Sequence, residues 1–65
     1  MITVNGKKIT NSDNMKLSDF LKKEGYDTSM IAVECNKSII PKIKYEEKIL
    51  EDGDSLEVVS FVGGG

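Results

Sequence analysis

One stretch of this chain, KLSDFLKKE (16–24), carries the apolar spacing of a helix, and it lasts only about two turns. Leu17, Phe20 and Leu21 fall at i, i+3 and i+4 and form one apolar stripe. Asp19 lies in the first turn and Lys22 and Lys23 in the last, which suits the helix dipole. Gly25 is placed for the C′ position that ends a helix with a left-handed residue. A single short helix covers only one face of a sheet. Everything else must therefore be arranged so that one sheet face is buried under this stripe and the other meets solvent or a partner.

The remaining segments read as strands and turns. Ile2-Thr3-Val4 alternates apolar and polar, Asn5-Gly6 is the strongest short hairpin signal, and Lys8-Ile9-Thr10 is expected to return. Asn11 to Asn14 is a polar loop. IAVEC (31–35) alternates again, Asn36-Lys37 turns the chain into Ser38-Ile39-Ile40, and Pro41 stops that piece because it cannot donate to a ladder. Residues 42–50 are expected to hold a turn followed by a short extended segment, and Asp52-Gly53-Asp54 a further turn. The last strand, SLEVVSFV (55–62), runs directly into three glycines. The order ββαβ(β)β predicts an α+β domain with a mixed sheet of four to five strands and one main helix across one face. The first hairpin and the last strand are expected to pair side by side.

Composition now excludes several kinds of function. With 65 residues there is room for one core, and a chain of this size buries only about 60% of the surface it exposes unfolded. Cys35 is the only cysteine, so no internal disulfide can supplement that core, which points to a reducing setting. The opening MITVNGKK has no apolar run long enough for a secretory signal, and no stretch approaches a membrane span. A cytoplasmic location is the expectation. Histidine and arginine are absent, so neither a zinc site nor a Ser–His–Asp or Cys–His centre can be assembled. Nine scattered lysines against eleven acids give a net charge of −2, which argues against nucleic acid as a partner. The chain is expected to bind no metal and no cofactor, and its own side chains do little chemistry.

Attention therefore moves to the end of the chain. On the last strand Leu56, Val58, Ser60 and Val62 share one face, and Glu57, Val59 and Phe61 share the other. If Leu56 and Val58 pack under the helix with Ile2, Val4, Leu17 and Leu21, then Val59 and Phe61 point outward as a docking patch beside the tail. The tail, Gly63-Gly64-Gly65, carries one reactive group, the α-carboxylate of Gly65. A carboxylate is a poor electrophile until ATP converts it to an acyl adenylate that sulfur or an amine can attack. In a partner's buried site this requires a slim arm. Three extended residues reach roughly 10 Å, and glycine passes where any Cβ would clash. The division expected is a domain over 1–62 and a flexible tail over 63–65.

The element order, the Asp52-Gly53-Asp54 turn and a final strand ending Phe61-Val62-Gly63-Gly64-Gly65 resemble the ubiquitin-like sulfur carriers, and most of all the ThiS family of thiamine-biosynthesis carriers. Val33-Glu34-Cys35-Asn36 and Ile39-Ile40-Pro41 are similar to the family's V-E-x-N and I-V-P stretches. The resemblance implies a β-grasp fold and a cycle run by partners. An E1-like adenylating enzyme would activate Gly65 with Mg-ATP, and sulfur drawn from cysteine by a desulfurase would replace one oxygen. The resulting thiocarboxylate would serve thiazole synthase in building the thiazole of thiamine. Gly65 would carry the sulfur, Gly64 and Gly63 would form the arm, and Val59, Phe61 and Val62 would dock the partners.

Other readings remain beside this one. A sulfur carrier for molybdopterin synthesis shares the same chemistry. A protein modifier would end with Gly65 in an amide to another protein's lysine. A plain interaction module would survive loss of Gly64 and Gly65. Cys35, alone at an alternating strand position, reads as a small core or edge residue rather than a sulfur relay. The glycine run is no phosphate cradle, since no helix follows it.

Overall fold

The hairpin at the start of the chain sets the register of the whole sheet. Asn5 and Gly6 both take positive φ (51° and 82°), as a type I′ turn requires, and join β1 (Ile2–Val4) to β2 (Lys7–Ile9). A two-residue turn pairs Val4 with Lys7 and Ile2 with Ile9, so the returning strand starts one residue earlier than the alternation alone suggested. The structure, a computed structural model, describes residues 1–61. Val62, Gly63, Gly64 and Gly65, which the sequence reading assigned to the end of the last strand and to the tail, lie outside the described residues.

Helix α1 (Leu17–Lys23) follows the polar loop and buries Leu17, Phe20 and Leu21 completely. Each such side chain contributes roughly 1.5–3 kcal/mol over its exposed state. The helix lacks a side-chain cap at Lys16. Its first amides are instead taken by the 42–50 segment: Leu17 N–H donates to the Lys48 carbonyl at 2.8 Å and Ser18 N–H to the Tyr45 carbonyl at 2.9 Å. At the other end Gly25 (φ 82°) donates to Lys22 O and Tyr26 to Leu21 O, the paired bonds of a Schellman stop. A 3-10 turn, Thr28–Met30, is capped by Asp27, whose carboxylate accepts from Ser29 N–H at 3.0 Å.

Strands β3 (Ile31–Cys35) and β4 (Ser38–Ile40) form the second hairpin, again with both turn residues at positive φ, Asn36 at 52° and Lys37 at 72°. A second 3-10 turn, Lys42–Lys44, follows Pro41, and the chain then crosses the start of α1 through a bridge between Lys16 and Ile49. This stretch, expected as a turn and a short extended piece, also delivers Tyr45 and Leu50 to the core, at 4% and 0% exposure.

Strand β5 (Ser55–Ser60) closes a five-stranded mixed sheet of order β2-β1-β5-β3-β4. It lies parallel to β1, pairing Thr3 with Ser55 and Val4 with Leu56, and antiparallel to β3 from Cys35↔Leu56 to Ile31↔Ser60. The first hairpin and the last strand thus pair side by side, as the sequence suggested. Alternation puts Ile2, Val4, Ile31, Val33, Cys35, Leu56 and Val58 on the helix-covered face, where they join Leu17, Phe20, Leu21, Tyr45 and Leu50 in one core. The five-stranded sheet under a single main helix is the arrangement the strand and helix count predicted. No helix among the described residues is long and apolar enough to cross a membrane.

Candidate functional site: the outer sheet face and the root of the tail

The site is built around β5, because β5 leads directly to the terminal glycines. Its buried residues, Leu56 (0% exposed) and Val58 (7%), fix which side chains face out. Val59 and Phe61 lie on the uncovered side, 56% and 55% exposed, where the alternation placed them. Two details of the reading are corrected. The strand ends at Ser60 rather than continuing through Phe61, although Phe61 N–H still donates to Met30 O at 2.7 Å. Ser60, assigned to the inner face, is exposed, because β1 has already turned away at Val4 and leaves that flank open.

Residues directly opposite on paired strands share a face. Val59 therefore sits beside Ala32, Glu57 beside Glu34, and Glu34 in turn beside Ile39 of β4. Ile39 is 74% exposed. The outer face thus presents Val59, Phe61 and Ile39 around a cross-strand pair of glutamates. Like charges set directly opposite one another cost the free domain stability.

Cys35 takes no part in this face. It is 5% exposed, opposite Leu56 at the start of β5, and inside the core. Burial pushes its thiol pKa up, and the carboxylate of Asp54 adds to that effect. A thiol held protonated in this way is a poor nucleophile, which agrees with its reading as a core residue.

Strand β5 is gripped by two asparagines that the sequence reading placed in turns, Asn36 also within the V-E-x-N stretch. Asn36, in the turn after β3, accepts from Ser55 N–H through Oδ1 at 3.0 Å and donates through Nδ2 to Asp54 Oδ1 at 3.1 Å. Asn5, in the turn after β1, accepts from Val58 N–H at 2.8 Å and donates to the Val58 carbonyl at 3.2 Å. Asparagine in each turn was visible, but reaching 53 residues along the chain to β5 is a property of the sheet order, which no local pattern carries. Asp54 itself, 7% exposed, accepts from Glu51 N–H at 2.9 Å, and Lys48 Nζ lies 3.4 Å from its carboxylate.

Comparison with known proteins places this geometry. The model of the ThiS family matches residues 1–65. The sulfur carrier protein ThiS of Bacillus subtilis (strain 168) is 39% identical over 66 residues, covering 100% of both chains. A thiazole synthase of Paramagnetospirillum magneticum is 39% identical over 64 residues, which are 98% of this chain but 20% of that one, so the chain spans about a fifth of that relative. The crystal structure of a thiamine biosynthesis protein (ThiS) from Geobacter metallireducens superposes with a TM-score of 0.78 at 25% identity, covering 98% of this chain and 97% of the other. The fold is the β-grasp, and the chain belongs to the ThiS family.

Proposed function

We infer that this chain is a sulfur carrier protein of thiamine biosynthesis and that Gly65 carries the sulfur. The observation that carries the reading is its end-to-end similarity to the sulfur carrier of Bacillus subtilis, on a fold whose central strand leads into the glycine run. The thiazole synthase relative supports the thiamine pathway over the molybdopterin one, since a segment similar to this chain makes up a fifth of it.

The chain acts as a co-substrate of partner enzymes rather than as a catalyst. The outer face, through Val59 and Phe61, docks an E1-like adenylating enzyme together with Val62, which lies outside the described residues, and Gly63, Gly64 and Gly65 enter its active site. There the Gly65 carboxylate attacks the α-phosphorus of Mg-bound ATP, releasing pyrophosphate and leaving an acyl adenylate. Sulfur drawn from cysteine by a desulfurase arrives as a persulfide whose terminal sulfur attacks the carbonyl carbon and expels AMP. A thiol then reduces the resulting acyl disulfide, taking up the persulfide's inner sulfur as a disulfide. The product is the Gly65 thiocarboxylate, whose sulfur is a soft nucleophile for thiazole synthase. Magnesium and ATP belong to the activating enzyme.

Intact mass spectrometry after incubation with an E1-like enzyme, Mg-ATP and a sulfide source tests the reading. The expected result is a mass gain equal to the exchange of one oxygen for one sulfur, abolished by deletion of Gly65. No gain, with an enzyme shown to be active on another carrier, rejects it.

A further inference from the structure

The two flanks of β5 are unequal. On the β3 side, pairing continues through Ile31↔Ser60 and the 2.7 Å bond from Phe61 N–H to Met30 O. On the β1 side it stops at Val4↔Leu56, because Asn5 and Gly6 turn the chain away. Past that point the Asn5 side chain takes the place of the missing strand. Its backbone N–H donates to Leu56 O at 2.9 Å, and its carboxamide spans both the N–H and the carbonyl of Val58, at 2.8 and 3.2 Å. One residue thus makes three bonds along β5. Val58 is the last residue of β5 that these bonds hold from the β1 side.

We propose that Asn5 is a positioning residue of the carrier: its carboxamide clamp on Val58 fixes the direction in which β5 hands the chain to the glycine tail. The proposal rests on the sulfur-carrier reading, in which the Gly65 carboxylate must reach a partner's ATP. From Phe61, the last residue that β3 holds, to Gly65 is four residues, a length that spans about 13 Å when extended. Tilting the end of β5 by about 5° displaces the end of such an arm by about 1 Å, and misplacement by about 1 Å can cost on the order of 100-fold in rate. The site demands asparagine. A residue at φ 51° must tolerate the left-handed region, and the clamp needs a donor and an acceptor on a one-carbon stem. Aspartate supplies no donor, glutamine is too long, and glycine supplies neither group.

The fold provides its own control. Asn36 (φ 52°) grips the other end of β5, at Ser55 and Asp54, by the same chemistry but far from the tail. The test compares Asn5→Gly with Asn36→Gly as substrates of an E1-like enzyme, following pyrophosphate release, beside amide exchange on the free proteins. Glycine keeps both positive-φ turns unstrained. Asn5→Gly is expected to lower kcat about tenfold with KM changed less than about threefold, because the docking side chains are untouched. Its Val58 amide, freed from the Asn5 carboxamide, should exchange faster than in the parent. Asn36→Gly should lose thermal stability yet keep kcat within about twofold. Asn5→Asp keeps the bond from Val58 N–H and should fall between the parent and Asn5→Gly. A parental kcat for Asn5→Gly overturns the proposal, as does an equal fall in kcat for Asn36→Gly, which would mark a general effect of stability. If the parent chain itself releases no pyrophosphate, the sulfur-carrier reading fails and this proposal with it.

Discussion

Replacing Asp54 by alanine should remove the polar knot that ties the start of β5 to its surroundings. The carboxylate is 7% exposed and accepts from Glu51 N–H at 2.9 Å and from Asn36 Nδ2 at 3.1 Å, with Lys48 Nζ at 3.4 Å. Burial opposes its ionisation, but the Glu51 amide, the Asn36 carboxamide and the Lys48 ammonium outweigh burial and hold the pKa below the ordinary aspartate value. A hydrogen bond to a charged group contributes about 1.5–3 kcal/mol, and deleting its acceptor leaves the donors unpaired. Lys48 is 24% exposed, so water recovers part of its loss. The expected cost of Asp54→Ala at pH 7 is about 2–3 kcal/mol. In a domain of this size that lowers the melting midpoint by about 10–20 °C. The sign with pH follows from the lowered pKa. The Asp54 contribution is fully present above the unfolded aspartate value of about 3.9 and is lost as pH falls through the lower folded value. Thermal melts of parent and variant between pH 7 and pH 2 should therefore show a gap that is constant down to about pH 4 and then narrows. Other carboxylates that titrate in both proteins, Asp27 among them, cancel in the difference. A cost under about 1 kcal/mol, or a gap that stays unchanged into acid, would refute the reasoning.

Three further outcomes are expected. Cys35, buried and with its thiol pKa raised by burial and by Asp54, should react with iodoacetamide slowly in the folded protein and fast in denaturant, and Cys35→Ala should still form the Gly65 thiocarboxylate. Gly25→Ala meets no atom within 4 Å, so its cost is the backbone strain of φ 82° alone, about 1–2 kcal/mol in urea melts, with an unchanged m-value. Glu57→Lys turns a like-charge pair with Glu34 into an opposite-charge one, and should raise stability by a few tenths of a kcal/mol, an effect that salt diminishes.

Where a structural choice was local, the sequence displayed it. Leu17, Phe20 and Leu21 announced the helix, Gly25 its end, Asn5-Gly6 the first hairpin, and the alternation of 55–61 told which of Val59 and Leu56 faces out. Choices settled by other parts of the chain were hidden. The 42–50 segment shows no period because its task is to cap α1 with the carbonyls of Tyr45 and Lys48 while sinking Tyr45 and Leu50 into the core. The Thr28–Met30 turn rests on one side-chain bond from Asp27, too short a signal to stand out. Ser60 obeys the strand alternation and yet is exposed, since inward direction produces burial only where a neighbour covers it. Of the candidate site, Val59 and Phe61 were legible through their spacing. The Glu34–Glu57 pairing and the two asparagine clamps required the strand order.

The parallel pairing of β1 with β5 has a consequence for how the molecule comes into being. Thr3 meets Ser55 and Val4 meets Leu56, so the first strand made waits for the last before its inner flank is covered. Contacts this distant in sequence form late and slow the folding of a small domain. A nascent or truncated chain lacking β5 leaves β1 and β3 with exposed edges in place of a continuous sheet, a form open to aggregation and proteolysis. The sheet is therefore completed only when β5, the last of its strands in chain order, takes its central place between β1 and β3.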